Sequence, residues 1–289
     1  TQWMGGVGVL VLALALFPKL GEGSVYLMRA ESPGPIKSKL TPRLRDTAKI
    51  LYTIYIGLTA AEVLCLCLAG MPLYDAVVYA FTTISTGGFS VKNASIGAYN
   101  SLVIDWIVII FMFLSGINFS LLFAALRRNL KTVWRSEELR CYTVTTMVAS
   151  GLIVVDLVVR AGRLLNLDTV TDAVFQMVTL MTTTGYMTDD YVLWPSFSQI
   201  VLIIVMPMGG CAGSTAGGIK HVRAVLLGKS LVRDLRRILH PRQVTTIKCD
   251  GERVSEQILS GIAVFFFTYI LLLMAGTLIV AWCGVVFIP

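Results

Sequence analysis

Asp75-Ala-Val-Val-Tyr-Ala-Phe-Thr82-Thr-Ile-Ser85-Thr86-Gly87-Gly88-Phe89 recurs without gaps, 97 residues further on, as Asp172-Ala-Val-Phe-Gln-Met-Val-Thr179-Leu-Met-Thr182-Thr183-Thr184-Gly185-Tyr186. Six of the fifteen positions are identical, and Ser85/Thr182 and Phe89/Tyr186 are near matches. A repeat at this period marks a duplicated architectural unit. Each copy is an apolar run of about 15 residues that ends in Thr and Gly instead of Leu and Val, too short to cross a bilayer, which takes roughly 20. Asp75 and Asp172 each stand ahead of their apolar run and are expected to be N-caps of short helices.

The surroundings of both copies are those of a membrane protein. Of 289 residues, 56% are apolar and only 14% charged, where a soluble domain carries roughly 25% charge. Mean hydropathy is +0.77. This excludes a disordered or collagen-like chain and a water-soluble enzyme. Residues 258–288 and 197–219 carry no charge; 102–126 carries only Asp105, 142–159 only Asp156, and 48–69 only Lys49 and Glu62. These are five candidate spans. A shorter apolar run, 3–17, opens the chain without the basic start or cleavage site of a signal peptide. It reads as the second half of a helix, and the chain as a piece of a larger one.

Twenty of the 24 Lys and Arg fall in three connecting segments: six in 29–49, five in 127–140 and nine in 220–253. No nucleic-acid signature accompanies the net charge of +7, so no nucleic-acid partner is expected. Basic clusters beside apolar spans place these loops on the cytoplasmic side. Three apolar stretches separate each successive pair: 48–69, 74–90 and 102–126, then 142–159, 170–186 and 197–219. If all three crossed, the basic loops would alternate sides. Parity is restored if 74–90 and 170–186 enter from outside and return. The fold class is therefore an all-α polytopic membrane protein, with repeated helix–re-entrant pore loop–helix units around a central ion pore.

The loop tips point to the chemistry. Ser and Thr ending in Gly supply hydroxyl and carbonyl oxygens with no cationic side chain, and Gly lets the chain take positive φ so that carbonyls can turn inward. Rings of such oxygens replace the hydration shell of an alkali cation. Short helices would aim their negative C-terminal ends at the same place. Asp168, Asp189 and Asp190, outside, either concentrate cations or are plain solvated loop. Glu62 and Asp105, within spans, are candidates to line a path, with Asp105 near enough to the outer end to snorkel to water.

A second polar feature is Gly209-Gly-Cys-Ala-Gly-Ser-Thr-Ala-Gly-Gly-Ile-Lys220, with five glycines in ten positions after Pro207. At 1.5 Å per residue Gly209 lies about 20 Å below Ser196, near mid-membrane. A helix cannot continue through it. The freed backbone needs a water-filled cavity, which places the break on the pore axis; close helix packing through small residues is the alternative reading. Other signals carry no chemistry. Six Cys show no CxxC spacing, Gly228-Lys229-Ser230 lacks the first Gly of a phosphate loop because position 223 is Arg, and no Gly-x-Gly-Asp supports a membrane aspartyl protease. No enzyme activity and no covalent cofactor are expected.

Ser85-Thr-Gly-Gly-Phe-Ser90, Thr182-Thr-Thr-Gly-Tyr186, the glycine string and Arg233-Asp-Leu-Arg-Arg-Ile-Leu-His-Pro241 after it resemble the Trk/Ktr/HKT superfamily of potassium uptake proteins, most nearly its bacterial TrkH pore subunits. The resemblance covers essentially the whole chain. It implies four helix–loop–helix units around one pore, distributed here as the inner helix of the first unit (1–28), a cytoplasmic loop (29–49), a second pore repeat (50–130) and a third with a broken inner helix (131–228). A basic cytoplasmic loop (229–257) and the outer helix of the fourth unit (258–289) follow, so the first and fourth filter segments are not among these residues. By the same resemblance K⁺, the transported ion, binds Thr86, Gly87, Gly88, Thr183, Thr184 and Gly185, with Gly88 and Gly185 at the key positions. No Thr-Val-Gly-Tyr-Gly string is present, which implies looser selectivity, with Rb⁺ passing and some Na⁺ leak. Gly209, Gly210, Cys211, Ala212, Gly213, Ser214, Thr215, Ala216, Gly217 and Gly218 become an intramembrane gating loop below the filter, whose alteration should change gating and leave selectivity intact. The implied setting is the bacterial inner membrane, as a homodimer. Arg233, Arg236, Arg237 and Arg242 would dock a cytoplasmic nucleotide-binding regulatory ring (TrkA-like), or bind anionic lipid. Potassium uptake is the implied function; an H⁺- or Na⁺-coupled symporter, or the potassium subunit of a pump, is the alternative.

Overall fold

The computed structural model describes residues 1–6, 44–240 and 246–283; most of the opening run, the first basic segment up to 43, Arg242 and the last six residues lie outside them. The helices are α1 (Gln2–Gly6), α2 (Leu44–Leu68), α3 (Leu73–Ile84), α4 (Leu102–Ser115), α5 (Phe119–Leu126), α6 (Leu130–Arg135) and α7 (Glu137–Val159), then α8 (Leu167–Met181), α9 (Ser196–Val205), α10 (His221–Leu239) and α11 (Glu256–Trp282). A two-stranded antiparallel hairpin, β1 (Lys248–Cys249) and β2 (Glu252–Arg253), joins the last two. Among the described residues three helices are long and apolar enough to cross a membrane, Lys49–Leu68, Glu137–Val159 and Glu256–Trp282, and a bent pair over 102–126 would make a fourth.

Polar caps set the helix starts. Ser136, Asn166 and Ser255 accept hydrogen bonds from the amides of Leu139, Thr169 and Ile258 and begin α7, α8 and α11. The expectation that Asp75 and Asp172 are N-caps is corrected. Pro72 precedes α3, and Asp75 stands inside its first turn, accepting the Tyr99 hydroxyl at 2.5 Å. Asp172 lies well inside α8, which Asn166 starts a turn and a half earlier, and it faces Arg163 at 3.4 Å. Both carboxylates serve tertiary contacts because the helices begin before the apolar runs do.

The two short helices do enter and return at one end. From the loop after α3 the chain climbs to a 3-10 turn, Ser95–Tyr99, whose Tyr99 bonds back to Asp75 at the start of α3. That turn meets the return from the second loop: the Gly97 amide donates to the Met187 carbonyl and the Met187 amide to Ser95 Oγ. At the opposite end the two basic segments within the described residues touch. Lys229 pairs with Glu137, whose amide donates to Asp250 Oδ1 at 2.7 Å. Between these ends Tyr79, Met112, Tyr142, Phe175, Met177 and Leu202, all nearly fully buried, pack α3, α4, α7, α8 and α9 into one core.

Residues 102–126 are not the straight span that their composition suggests. α4 and α5 are bent by 105° across Gly116-Ile117-Asn118, and Asn118 caps α5 by accepting from the Ser120 amide at 2.8 Å. Gly116 is needed at the bend because a Cβ there would stand 2.3 Å from the Tyr142 hydroxyl. Gly116→Ala is expected to destabilise the fold by about 1–3 kcal/mol through overpacking. Gly151→Ala, in α7 with open space around it, should be neutral or stabilising by up to about 1 kcal/mol. Thermal unfolding of the two variants in detergent measures the contrast.

Candidate functional site

The two repeated loops fold alike, bond for bond. α3 and α8 end at Ser85 and Thr182, both near φ −80° and ψ 0°. Thr86 and Thr183 then take positive φ, 50° and 57°, as do Gly88 and Gly185 at 66° and 90°. In the first loop the amides of Gly87 and Gly88 both donate to the Thr82 carbonyl, at 2.7 and 3.4 Å; in the second, those of Thr184 and Gly185 both donate to the Thr179 carbonyl, at 2.9 and 3.3 Å. With the amides drawn back onto the helix ends, the loop carbonyls are left over. Among the described residues no hydrogen bond reaches the carbonyl oxygens of Thr86, Gly87, Gly88, Thr183, Thr184 or Gly185. A non-glycine residue in the left-handed region carries a steric cost, so this turn is held by its surroundings.

The loops also meet each other. A Cβ on Gly88 would stand 1.9 Å from the Thr184 carbonyl oxygen, so only glycine permits this approach. Tyr186 locks the contact. It is buried, its ring lies edge-on to Tyr79 with centroids 5.7 Å apart, and its hydroxyl meets Thr82 Oγ1 at 2.6 Å and Thr83 Oγ1 at 3.2 Å. Phe89, its counterpart in the first repeat, is 62% exposed. The hydroxyl accounts for the asymmetry, since a phenylalanine could not bond to the threonines on α3.

The glycine string lies directly against both loops. α9 ends at Val205, a 3-10 turn spans Met206–Met208, and helix does not resume until His221. Thr86 Oγ1 donates to the Thr215 carbonyl at 3.0 Å, and Thr183 Oγ1 accepts from the Gly217 amide at 2.8 Å. The same residue of each repeat therefore holds the string. Shared hydrogen bonds thus join the string to both loops. The string also fills the bend between α4 and α5. The Cys211 amide donates to the Gly116 carbonyl and the Phe119 amide to the Gly213 carbonyl. Two helix breaks thus satisfy each other's backbone, one of which sequence reasoning missed; Ser115-Gly116-Ile117-Asn118 was its only signal.

Glu138, not singled out from the sequence, is the anchor of the string. Buried in the first turn of α7, its Oε1 accepts from the Ala212 amide at 2.6 Å and the Val222 amide at 3.1 Å. It therefore bridges the string to the start of α10. At the other end of the bundle Asp189 is neither plain solvated loop nor a free charge. Burial alone would push its carboxyl up, but the Trp194 indole N–H at 2.8 Å and Arg163 at 2.6 Å hold it below the ordinary carboxylate range. Asp190 accepts from the Val192 amide. Of the basic residues expected to dock the ring, Arg233 is buried and pairs with Asp234 at 2.9 Å and Glu256 at 2.5 Å. Arg236 and Arg237 are exposed, and Arg242 lies outside the described residues.

Comparison with known proteins adds family information. The sequence model described as "TrkH: Cation transport protein" matches residues 1–284. The Trk system potassium uptake protein TrkH of Salmonella typhimurium is 41% identical over 288 residues, covering 98% of this chain and 59% of that protein. Trk system potassium uptake protein TrkG of Escherichia coli is 36% identical over 274 residues, covering 93% and 56%. The crystal structure of the potassium transporter TrkH from Vibrio parahaemolyticus superposes with a TM-score of 0.82 at 35% identity, over 97% of this chain and 57% of that one. The chain thus spans about three-fifths of the length of its relatives.

Glu138→Ala would orphan two buried amides at about 1–3 kcal/mol each, whereas Glu138→Gln keeps an acceptor and should cost less. With the other cysteines replaced, the buried Cys211 should react faster with a maleimide in the alanine variant than in the glutamine one. Equal labelling rates would contradict the anchoring role.

Proposed function

Given that the chain belongs to the TrkH family of cation transport proteins, we propose that it forms part of a potassium uptake pathway across the bacterial inner membrane. The observation that carries this reading is the pair of loops with equivalent backbone turns and unbonded carbonyl oxygens, meeting at Gly88 and Thr184. Thr86, Gly87, Gly88, Thr183, Thr184 and Gly185 supply the oxygens that replace the hydration shell of K⁺. The C-terminal ends of α3 and α8 add negative potential there. The string 209–218 is the gate. It stands against both loops in a stretch of backbone that is not helical, so its displacement opens or closes the path without unwinding a helix.

Gating is driven from the cytoplasmic end. α10 follows the string directly, and Arg236 and Arg237 offer an exposed positive surface for a nucleotide-binding regulatory ring, to which Arg242 would add its charge. Arg233 instead fastens α10 to α11 through Glu256. A homodimer is the proposed assembly.

Gly88→Ser and Gly185→Ser in the whole protein should both lower K⁺/Na⁺ discrimination in liposome flux. Gly88→Ser should be the more damaging, because its Cβ meets the Thr184 carbonyl while that of Gly185 meets nothing within 4 Å. Unchanged selectivity in both would remove the filter assignment. Replacing Arg236, Arg237 and Arg242 with Gln should abolish pull-down of the ring and leave basal flux intact. Retained ring binding, with binding to anionic vesicles lost, would instead make the segment a lipid contact.

A further inference from the structure

Glu62 has no place in the reading above, yet it is the most conspicuous charge in the fold. It lies on α2 in a buried stripe, Tyr55, Thr59, Glu62 and Leu66, spaced at i, i+4, i+7 and i+11 so that all face the core. Its exposure is 0%, and among the described residues neither carboxylate oxygen makes a well-formed hydrogen bond, with the Thr83 hydroxyl as its polar neighbour. An ionised carboxylate so placed is expensive unless something neutralises it in situ.

Among the described residues its neighbours offer no counter-charge. The elements packed on α2 are α1, α3, α4 and α5, and none of them contains Lys, Arg or His. Their titratable side chains are Tyr74, Asp75 and Tyr79 on α3 and Asp105 on α4; α2 itself adds Tyr52, Tyr55, Cys65 and Cys67, with Arg45, Asp46 and Lys49 in its opening turns, more than three turns before Glu62. From the second loop, Tyr186 is the titratable group close enough to feel the charge of Glu62. Thr83 on α3 faces it too, but Thr83 Oγ1 is engaged with the Tyr186 hydroxyl at 3.2 Å. From there a line of rotatable hydroxyls runs on. The Tyr186 hydroxyl meets Thr82 Oγ1 at 2.6 Å, and Thr82 Oγ1 meets the Phe89 carbonyl at 3.0 Å, at the end of the first loop.

We propose that Glu62 is a proton-binding site behind the first loop, and that release of its proton strengthens cation binding by that loop. A proton is the neutraliser that fits, since no cavity beside Glu62 is needed to hold it. When it leaves, one negative charge appears in the back wall, and the Thr83 O–H can turn toward Glu62, loosening the hydroxyl line that ends at Phe89. A unit charge at a separation of order 10 Å, at an effective dielectric of about 20, changes cation binding by roughly tenfold. The sign is fixed: deprotonation at higher pH raises the affinity for K⁺. This inference rests on the filter reading given above.

The test is the KM for K⁺ of the whole protein in liposomes between pH 5 and pH 9, for the parent and for Glu62→Gln, which mimics the protonated acid. The parent KM should fall about tenfold as pH rises, and that of Glu62→Gln should stay at the parent's acid-side value throughout. A pH-independent KM in the parent, or the same pH dependence in Glu62→Gln, would overturn the proposal. Infrared difference spectra between the two pH extremes provide a readout apart from transport. A protonated-carboxyl C=O band should be lost on alkalinisation in the parent and be missing from Glu62→Gln, and its persistence in the variant would assign it elsewhere. Glu62→Leu is the second variant if Gln does not fold, with the same flat profile expected. Gly88→Ser separates the failures: selectivity unchanged by that substitution sinks the filter reading, whatever Glu62→Gln does.

Discussion

A backbone that leaves its helix inside a membrane must find partners for its amides and carbonyls, and this fold meets that constraint by setting its irregular segments against one another. The loops after α3 and α8, the bend at Gly116–Asn118 and the string 209–220 are all non-helical, and each is hydrogen-bonded to another. Thr86 and Thr183 hold the string from the two loops, while the carbonyls of Gly116 and Gly213 join the string to the bend. Among the described residues the carbonyl oxygens of the two loop turns take no hydrogen bond, and on the proposed reading these are the oxygens a cation meets.

The duplication is faithful in backbone and deliberately unequal in side chains. Shared acceptors at Thr82 and Thr179 produce the same turn twice. Thr179 also accepts from the Gly185 and Tyr186 amides through its hydroxyl, whereas Thr82 turns its hydroxyl to the Phe89 carbonyl and to Tyr186. Tyr186 thereby ties the second loop to the helix behind the first, and Phe89 is left facing out. Two copies of one sequence pattern become a single interlocked pair because one aromatic carries a hydroxyl and the other does not.

The basic end of the bundle is joined to the string by short steps. Glu138 accepts from Ala212 and Val222, and its neighbour Glu137 pairs with Lys229 on α10 and donates its amide to Asp250 of the hairpin. The string, the first turn of α7, α10 and the hairpin are thus linked within a few bonds. The Glu138 contacts are buried and charge-assisted, and contacts of that kind are costly to break.

Much of the fold was legible in the sequence because it depends on periodic or one-dimensional quantities. Uncharged runs marked the three helices long enough to cross a membrane, and the parity of the basic segments with the 97-residue repeat required both 74–90 and 170–186 to return to the end they entered from. Pro207 and the five glycines announced the break before α10, since no helix tolerates them. Side-chain partners were not legible. Asp75 and Asp172 read as caps, yet they bond to Tyr99 and Arg163, and nothing in the sequence marked Glu256 as the partner of Arg233. The bend at Gly116 is hidden in an apolar run because its cause lies 95 residues away, in the amide of Cys211 that takes the Gly116 carbonyl. Composition and periodicity determine where a chain can sit in a bilayer; which oxygens stay unbonded and which carboxylate stays unpaired is decided only when distant segments are brought together.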